Sequence, residues 1–114
     1  NYEGCLDRVA WYGDNSGRQT QPVGQKGANA FGLHDMHGHV WEWVEDCWHA
    51  NYRDAPDDGR AWKEEGGGTC SDRVLRGGSW YSKPRVVLSA FRGRYLTSDR
   101  NVDLGFRVSR TLSR

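Results

Sequence analysis

Over residues 40–44 the chain alternates, with Trp41 and Trp43 on one side of an extended backbone and Val40, Glu42 and Val44 on the other. That period of two predicts a strand. A second, short strand is predicted over residues 73–75, ended by the Gly77-Gly78 pair. Toward the carboxy terminus Leu104, Phe106 and Val108 alternate with Gly105, Arg107 and Ser109, which predicts a terminal strand with one apolar face. Residues 1–27 are polar and turn-rich, and GDNSG, from Gly13 to Gly17, reads as a loop. Residues 51–68 contain APDDG and EEGGG and read as a long surface loop carrying solvated charges.

Between the second and terminal strands, residues 80–103 show little period of either kind. They are rich in side chains that make contacts: Tyr81, Lys83, Arg85, Phe91, Arg92, Arg94 and Tyr95. A long irregular segment pinned at both ends by strands is how binding loops are usually held.

Composition narrows the picture. At 114 residues the chain is one domain or part of one. Sixteen basic and fifteen acidic residues leave a net charge of +1, so charge makes no case for nucleic acid or a membrane surface as the main partner. Six Trp, five Tyr and three Phe supply bulky core volume where aliphatics are few, and fifteen Gly favour short strands and tight loops. No segment approaches the roughly 20 apolar residues of a membrane span, and no secretory leader is visible. The chain begins at Asn1 without a Met, as expected of a recombinant piece, a processed product or a fragment.

Cys5, Cys47 and Cys70 form no zinc-type CxxC pair. Two arrangements stay open: a Cys47–Cys70 disulfide, since each lies beside a predicted strand, or three buried thiols. His34, His37 and His39 suggest a transition-metal cluster, but Gly38 argues for a turn there, and loop histidines satisfied by their neighbours are the simpler expectation.

Four blocks carry a resemblance. NAFGLHDMHGHVWEW (Asn29 to Trp43), RVLRGGSW (Arg73 to Trp80), LSAFRGR (Leu88 to Arg94) and LGFRVSR (Leu104 to Arg110) resemble, in order and spacing, the formylglycine-generating enzyme (sulfatase-modifying factor) superfamily. The resemblance implies an α+β, C-type-lectin-like fold with little regular secondary structure and short antiparallel strands. It also implies that residues 1–114 are the carboxy-terminal portion of a longer domain, completed by a missing amino-terminal half or a second chain.

In that family calcium is held on the pattern D/N-x-x-G-x-V/A-x-E, which falls here on Asp35, Gly38, Val40 and Glu42, with His39 where the family usually has Asn. A hard cation takes several oxygens at about 2.3–2.6 Å, and a Gly turn can aim carbonyls inward. The alternative is that Asp35 and Glu42 cap turns or pair with Arg. A second family calcium site would use Asn1, the Tyr2 carbonyl, Asn15 and the Gly17 carbonyl, with neutral Asn15 replacing the usual acid.

The family's oxidase binds copper through two cysteines, whose positions are Ser82 and Val87 here. Neither offers the thiolate that Cu(I) requires, so no copper and no oxidase activity are expected. No catalytic triad, phosphate loop or paired-carboxylate motif stands out.

The same fold serves as the variable protein of diversity-generating retroelements, whose templates carry asparagine codons between GGSW and GFR. Laid without gaps on residues 77–107, those asparagines fall on Tyr81, Ser82, Lys83, Val86, Phe91, Gly93, Tyr95, Asp99, Asn101, Val102 and Asp103. Most of these are reachable by changing adenines alone; Lys83 is not, and Val87, Leu88, Leu96, Thr97 and Ser98 also depart from the pattern. The implied function is a non-catalytic ligand-binding or display domain that presents residues 80–103 to a protein or glycan. Arg76, Arg92 and Arg107 are then expected to brace the scaffold through carboxylates and carbonyls. The alternative is a metal-dependent oxidoreductase fragment of the same family, with its catalytic residues outside this chain.

Overall fold

The computed structural model describes residues 2–112, apart from the side chains of Tyr2 and Glu3. Its centre is the strand whose alternation is visible in the sequence, extended to eight residues: β3 (Trp41–Trp48), after α1 (Tyr2–Leu6), β1 (Ala10–Trp11) and β2 (His37–Gly38). β4 (Thr69–Arg76), β5 (Gly93–Leu96) and β6 (Leu104–Gly105) complete a sheet of order β5-β4-β3-β6. β4 runs antiparallel to both β3 and β5, while β6 runs parallel to β3.

The β3–β4 register is interrupted on either side of Cys47, where the strands bulge. Cys47 is nevertheless bonded to Cys70, with Cα atoms 4.5 Å apart, within the usual span of a disulfide. Of the two cysteine arrangements, the structure therefore has the bridge, and Cys5 is an exposed thiol rather than a buried one.

Two small cores result. Val74, Leu75 and Cys47 are buried within the sheet. Leu6, Ala10, Tyr12 and Val87 form a second cluster between the amino-terminal segment and the turn after β4. Tyr12 can be buried because its hydroxyl donates to Asp7 Oδ1 at 2.7 Å. The parallel pair β1–β2 places Trp11 opposite Gly38. Gly38 has φ of 70°, and a Cβ there would come within 2.1 Å of the Trp11 carbonyl oxygen, so the contact admits only glycine.

Three expectations change. The terminal strand is only Leu104–Gly105, and Phe106 and Val108 are 75% and 86% exposed. A strand needs a backbone neighbour, and β6 finds one in β3 for two residues only. Residues 80–103 are not wholly irregular: they hold a 3-10 turn, Pro84–Val86, and β5. β5 escapes detection because Gly-Arg-Tyr-Leu shows no apolar alternation; β4 imposes its extended form, and the Trp41 ring packs where Gly93 lacks a side chain. Trp62, inside the expected surface loop 51–68, is buried, and its backbone N–H donates to Asp46 Oδ1 at 2.9 Å. No helix of the described residues is long and apolar enough to cross a membrane.

Candidate functional site

The segment 80–103 is fixed at both ends by one buried serine. Gly77 and Gly78 turn the chain out of β4 with φ of 96° and 69°, and deliver Ser79 into the interior. Its N–H donates to Ser82 Oγ at 2.9 Å, and its Oγ accepts from the Tyr81 N–H at 3.2 Å. The same Oγ donates to Asp103 Oδ2 at 3.4 Å, which joins the start of the segment to its finish. Backbone contacts reinforce this: Trp80 N–H donates to His39 O, Gly13 N–H to Ser82 O, and Trp41 N–H to Asp103 O, at 2.7–2.8 Å.

The eleven ligand positions expected from the sequence differ in exposure and in the contacts they make. Tyr81 is 63% exposed and lies beside Arg18, whose guanidinium carbon is 5.5 Å from its ring centroid. Phe91 and Gly93 flank the Trp41 ring, Phe91 at 6.1 Å between centroids. Ser82 and Asp103 belong to the Ser79 network, and Lys83, Asn101 and Val102 face water, Val102 at 76% exposure. Val86 and Tyr95 are half-buried, Tyr95 opposite Arg73 of β4. Asp99 and Asn101 line a cleft of about 680 Å³ with Trp43, Arg73, Arg100 and Phe106. Lys63 and Glu45 stand at that cleft, and the Lys63 hydrogen bond and charge hold the Glu45 carboxyl below the ordinary glutamate range. No local signal marks Lys63 or Arg73 for this place, since β-pairing and a distant loop bring them together.

The two family copper positions part company. Ser82 sits in the hydroxyl network, whereas Val87 is fully buried in the Leu6–Ala10–Tyr12 cluster. A side chain on Gly78 would meet Val87 Cγ1 at 2.5 Å, so the turn and the valine are packed as one unit.

At the first calcium motif, Glu42 accepts from Arg107 Nε at 2.7 Å. Arg107 also donates to the carbonyls of His34 and Asp35, at 3.0 and 2.9 Å. Asp35 Oδ2 accepts from the Gly24 N–H at 2.8 Å, but its Oδ1 is buried without a partner. These residues, with His39 and Val40, border a cleft of about 510 Å³. An orphaned carboxylate oxygen from a residue that borders the same cleft as Glu42 fits the oxygen chemistry of a hard cation, and the guanidinium of Arg107 competes with one for the same charge. Among the described residues no three His, Cys, Asp or Glu side chains gather for a metal, so carbonyls would supply much of any shell.

At the second calcium motif, Asn1 lies outside the described residues and Tyr2 is in α1. Asn15 is spent on the chain itself, with Oδ1 accepting from Tyr12 N–H at 2.8 Å and Nδ2 donating to Ala10 O at 2.9 Å. Its neighbour Gly17 has φ of 69°. The histidines meet carbonyls: His34 Nδ1 lies 2.9 Å from Lys26 O and His37 Nδ1 lies 2.7 Å from Val87 O.

The solved structure of PvdO from Pseudomonas aeruginosa superposes with a TM-score of 0.79 at 42% identity, over 87% of this chain and 38% of that one. Treponema denticola variable protein 1 superposes with a TM-score of 0.72 at 38% identity, over 91% of this chain and 36% of that one. Chaperone protein LppX of Paenibacillus barcinonensis is 30% identical over 92% of this chain and 39% of its own length. The chain thus spans about two-fifths of the relatives it matches. The model of the sulfatase-modifying factor enzyme 1-like domain matches residues 3–112, and with the shared fold this places the chain in that family.

Proposed function

We propose that the chain is a non-catalytic ligand-binding module in which residues 80–103 are displayed to a protein or glycan on a scaffold that tolerates changes in their side chains. One observation carries this reading. Ser79 and the Trp41 backbone hold both ends of the segment through partly buried contacts, while Tyr81, Lys83, Asn101 and Val102 project into water. Aromatic area at low entropy cost, with small polar residues between, is how paratopes bind. The likeness to a protein titled a variable protein supports the same reading, as does the replacement of both family copper cysteines by Ser82 and Val87.

A library randomised at Tyr81, Lys83, Phe91, Asn101 and Val102 tests it. Most members should keep the parent's melting temperature to within a few degrees and yield binders to unrelated proteins. General loss of folding overturns the reading.

Calcium at Asp35, Gly38, Val40 and Glu42 belongs to the same proposal, as a brace for β3 under the display segment. The orphaned Asp35 Oδ1 supports it. Excess chelator should lower the melting temperature, because binding to the native state shifts unfolding by mass action; an unchanged melt removes the site. The oxidoreductase reading keeps one support, that about three-fifths of each relative lies outside the match. Redox-active copper or iron in the purified longer protein would favour it.

A further inference from the structure

Arg92 differs from the other two arginines expected to brace the scaffold. Arg107 is committed to Glu42 and two carbonyls. Arg76 donates to the carbonyls of Ser89 and Phe91 and, at 3.0 Å, to the Tyr52 hydroxyl. The Arg92 guanidinium instead lies against two rings, its central carbon 4.7 Å from the Trp48 centroid and 4.5 Å from that of Tyr52. Among the described residues it makes no hydrogen bond or ion pair. Arg94 approaches the same Trp48 ring at 4.9 Å, with Asp72 only a loose partner at 3.8 Å.

Stacking on aromatic faces attracts a guanidinium and leaves the five N–H donors around its rim uncommitted. The two rings hold Arg92 in place, so much of the rotamer entropy that a free arginine loses on binding is already lost. A planar fork fixed in this way, partly stripped of water and without an acceptor of its own, matches a carboxylate in two parallel hydrogen bonds. The guanidinium carbons of Arg92 and Arg94 lie within about 10 Å of each other, since both are within 5 Å of one ring centroid. Alternate side chains of an extended peptide are about 7 Å apart, which suits two acidic residues separated by one.

We propose that Arg92, held against the rings of Trp48 and Tyr52 with Arg94 against the same Trp48 ring, is a binding site for an extended acidic peptide, Arg92 taking one Asp or Glu carboxylate bidentately. The site deepens the display reading, since Arg92 and Arg94 lie within residues 80–103, but none of Trp48, Tyr52, Arg92 and Arg94 is varied in the library that tests that reading, so the two can fail separately.

The probe is a fluorescein-labelled peptide of alternating Glu and Ser, titrated into the 114-residue chain at low salt and followed by anisotropy, beside its Gln analogue. The Glu peptide should bind saturably and the Gln analogue at least about tenfold more weakly. Arg92→Gln should cost about tenfold or more, and Arg92→Lys about fivefold, because lysine keeps the charge but not the fork. Arg60→Gln, which removes a charge from an arginine whose side chain is 65% exposed and which belongs to neither binding reading, should leave this affinity unchanged. Melting curves of the variants identify any loss of fold, and Arg92→Lys, which keeps the cation near both rings, carries the comparison if Arg92→Gln unfolds. Equal binding of the two peptides, unchanged affinity in a folded Arg92 variant, or no saturable binding by about 1 mM overturns the proposal. Arg92-dependent binding of a heparin fragment in place of the peptide overturns it in favour of a sulfated glycan.

Discussion

Removing the Cys47–Cys70 bridge offers a sharp test of the fold, because its expected cost can be worked from the loop it closes. The cysteines are 23 residues apart. Loop-closure entropy for that length amounts to about 3.4 kcal/mol at 25 °C, the part of the denatured ensemble's freedom that the bridge takes away. With an unfolding entropy of about 2 cal/mol/K per residue, a chain of 114 residues should lose about 14 °C in melting temperature. The loop is not held by the bridge alone. Cys47 N–H donates to Trp62 O at 2.8 Å, and His49 stacks on Trp62 with centroids 3.4 Å apart. His49 Nε2 also lies 2.8 Å from Glu65 O. A Cys47→Ala/Cys70→Ala double variant should therefore stay folded at room temperature, with native near-ultraviolet dichroism and a lowered melt. Should its melting temperature stay within about 2 °C of the parent, the loop-entropy reasoning fails for this protein.

The remaining predictions concern single contacts. Gly38→Ala should destabilise by about 2–5 kcal/mol, measured as a urea midpoint shift, since it combines a left-handed backbone with a steric clash; the Trp11 carbonyl lies 2.1 Å from where its Cβ would be. Trp62→Ala should cost about 3–5 kcal/mol by the same assay, as expected of a buried indole inside an apparent surface loop. Lys63→Met should change the melt very little at any pH. The Lys63 ammonium lowers the Glu45 pKa, so the pair's contribution is present at neutral pH and lost as the pH falls through that lowered value. Glu45 is 72% exposed, however, and water screens the pair. A Lys63→Met melt several degrees lower at pH 7 than the parent's, with the gap closing in acid, would contradict that screening.

How much of this was legible beforehand depends on the range of the interaction concerned. The alternation around Trp41 and Trp43 marked β3 because a period of two is a local property of side-chain direction. The Gly77-Gly78 punctuation marked the end of β4 for a similar reason: glycine alone reaches those positive φ values at little cost. The four sequence blocks carried the family and with it the fold. The alternation of Leu104, Phe106 and Val108 was equally clear, yet it states which side chains share a face and says nothing of what covers that face. β6 stops after two residues, where its pairing with β3 ends.

Tertiary structure decided the rest. Val87, between Val86 and Leu88, is the one of the three that becomes a buried core residue, because the turn carries it onto Leu6, Ala10 and Tyr12. Ser79 closes a loop of more than twenty residues through Asp103, a partner that no local spacing designates. Arg92 and Arg107 are indistinguishable as letters, yet one lies against two rings from another segment and the other is consumed by Glu42. Sequence by itself thus determined family, sheet nucleus and turn points, which follow from backbone preference and side-chain period. Which polar groups are already satisfied, and which remain free for a ligand, depended on contacts between residues far apart in the chain, and only the folded arrangement sets those.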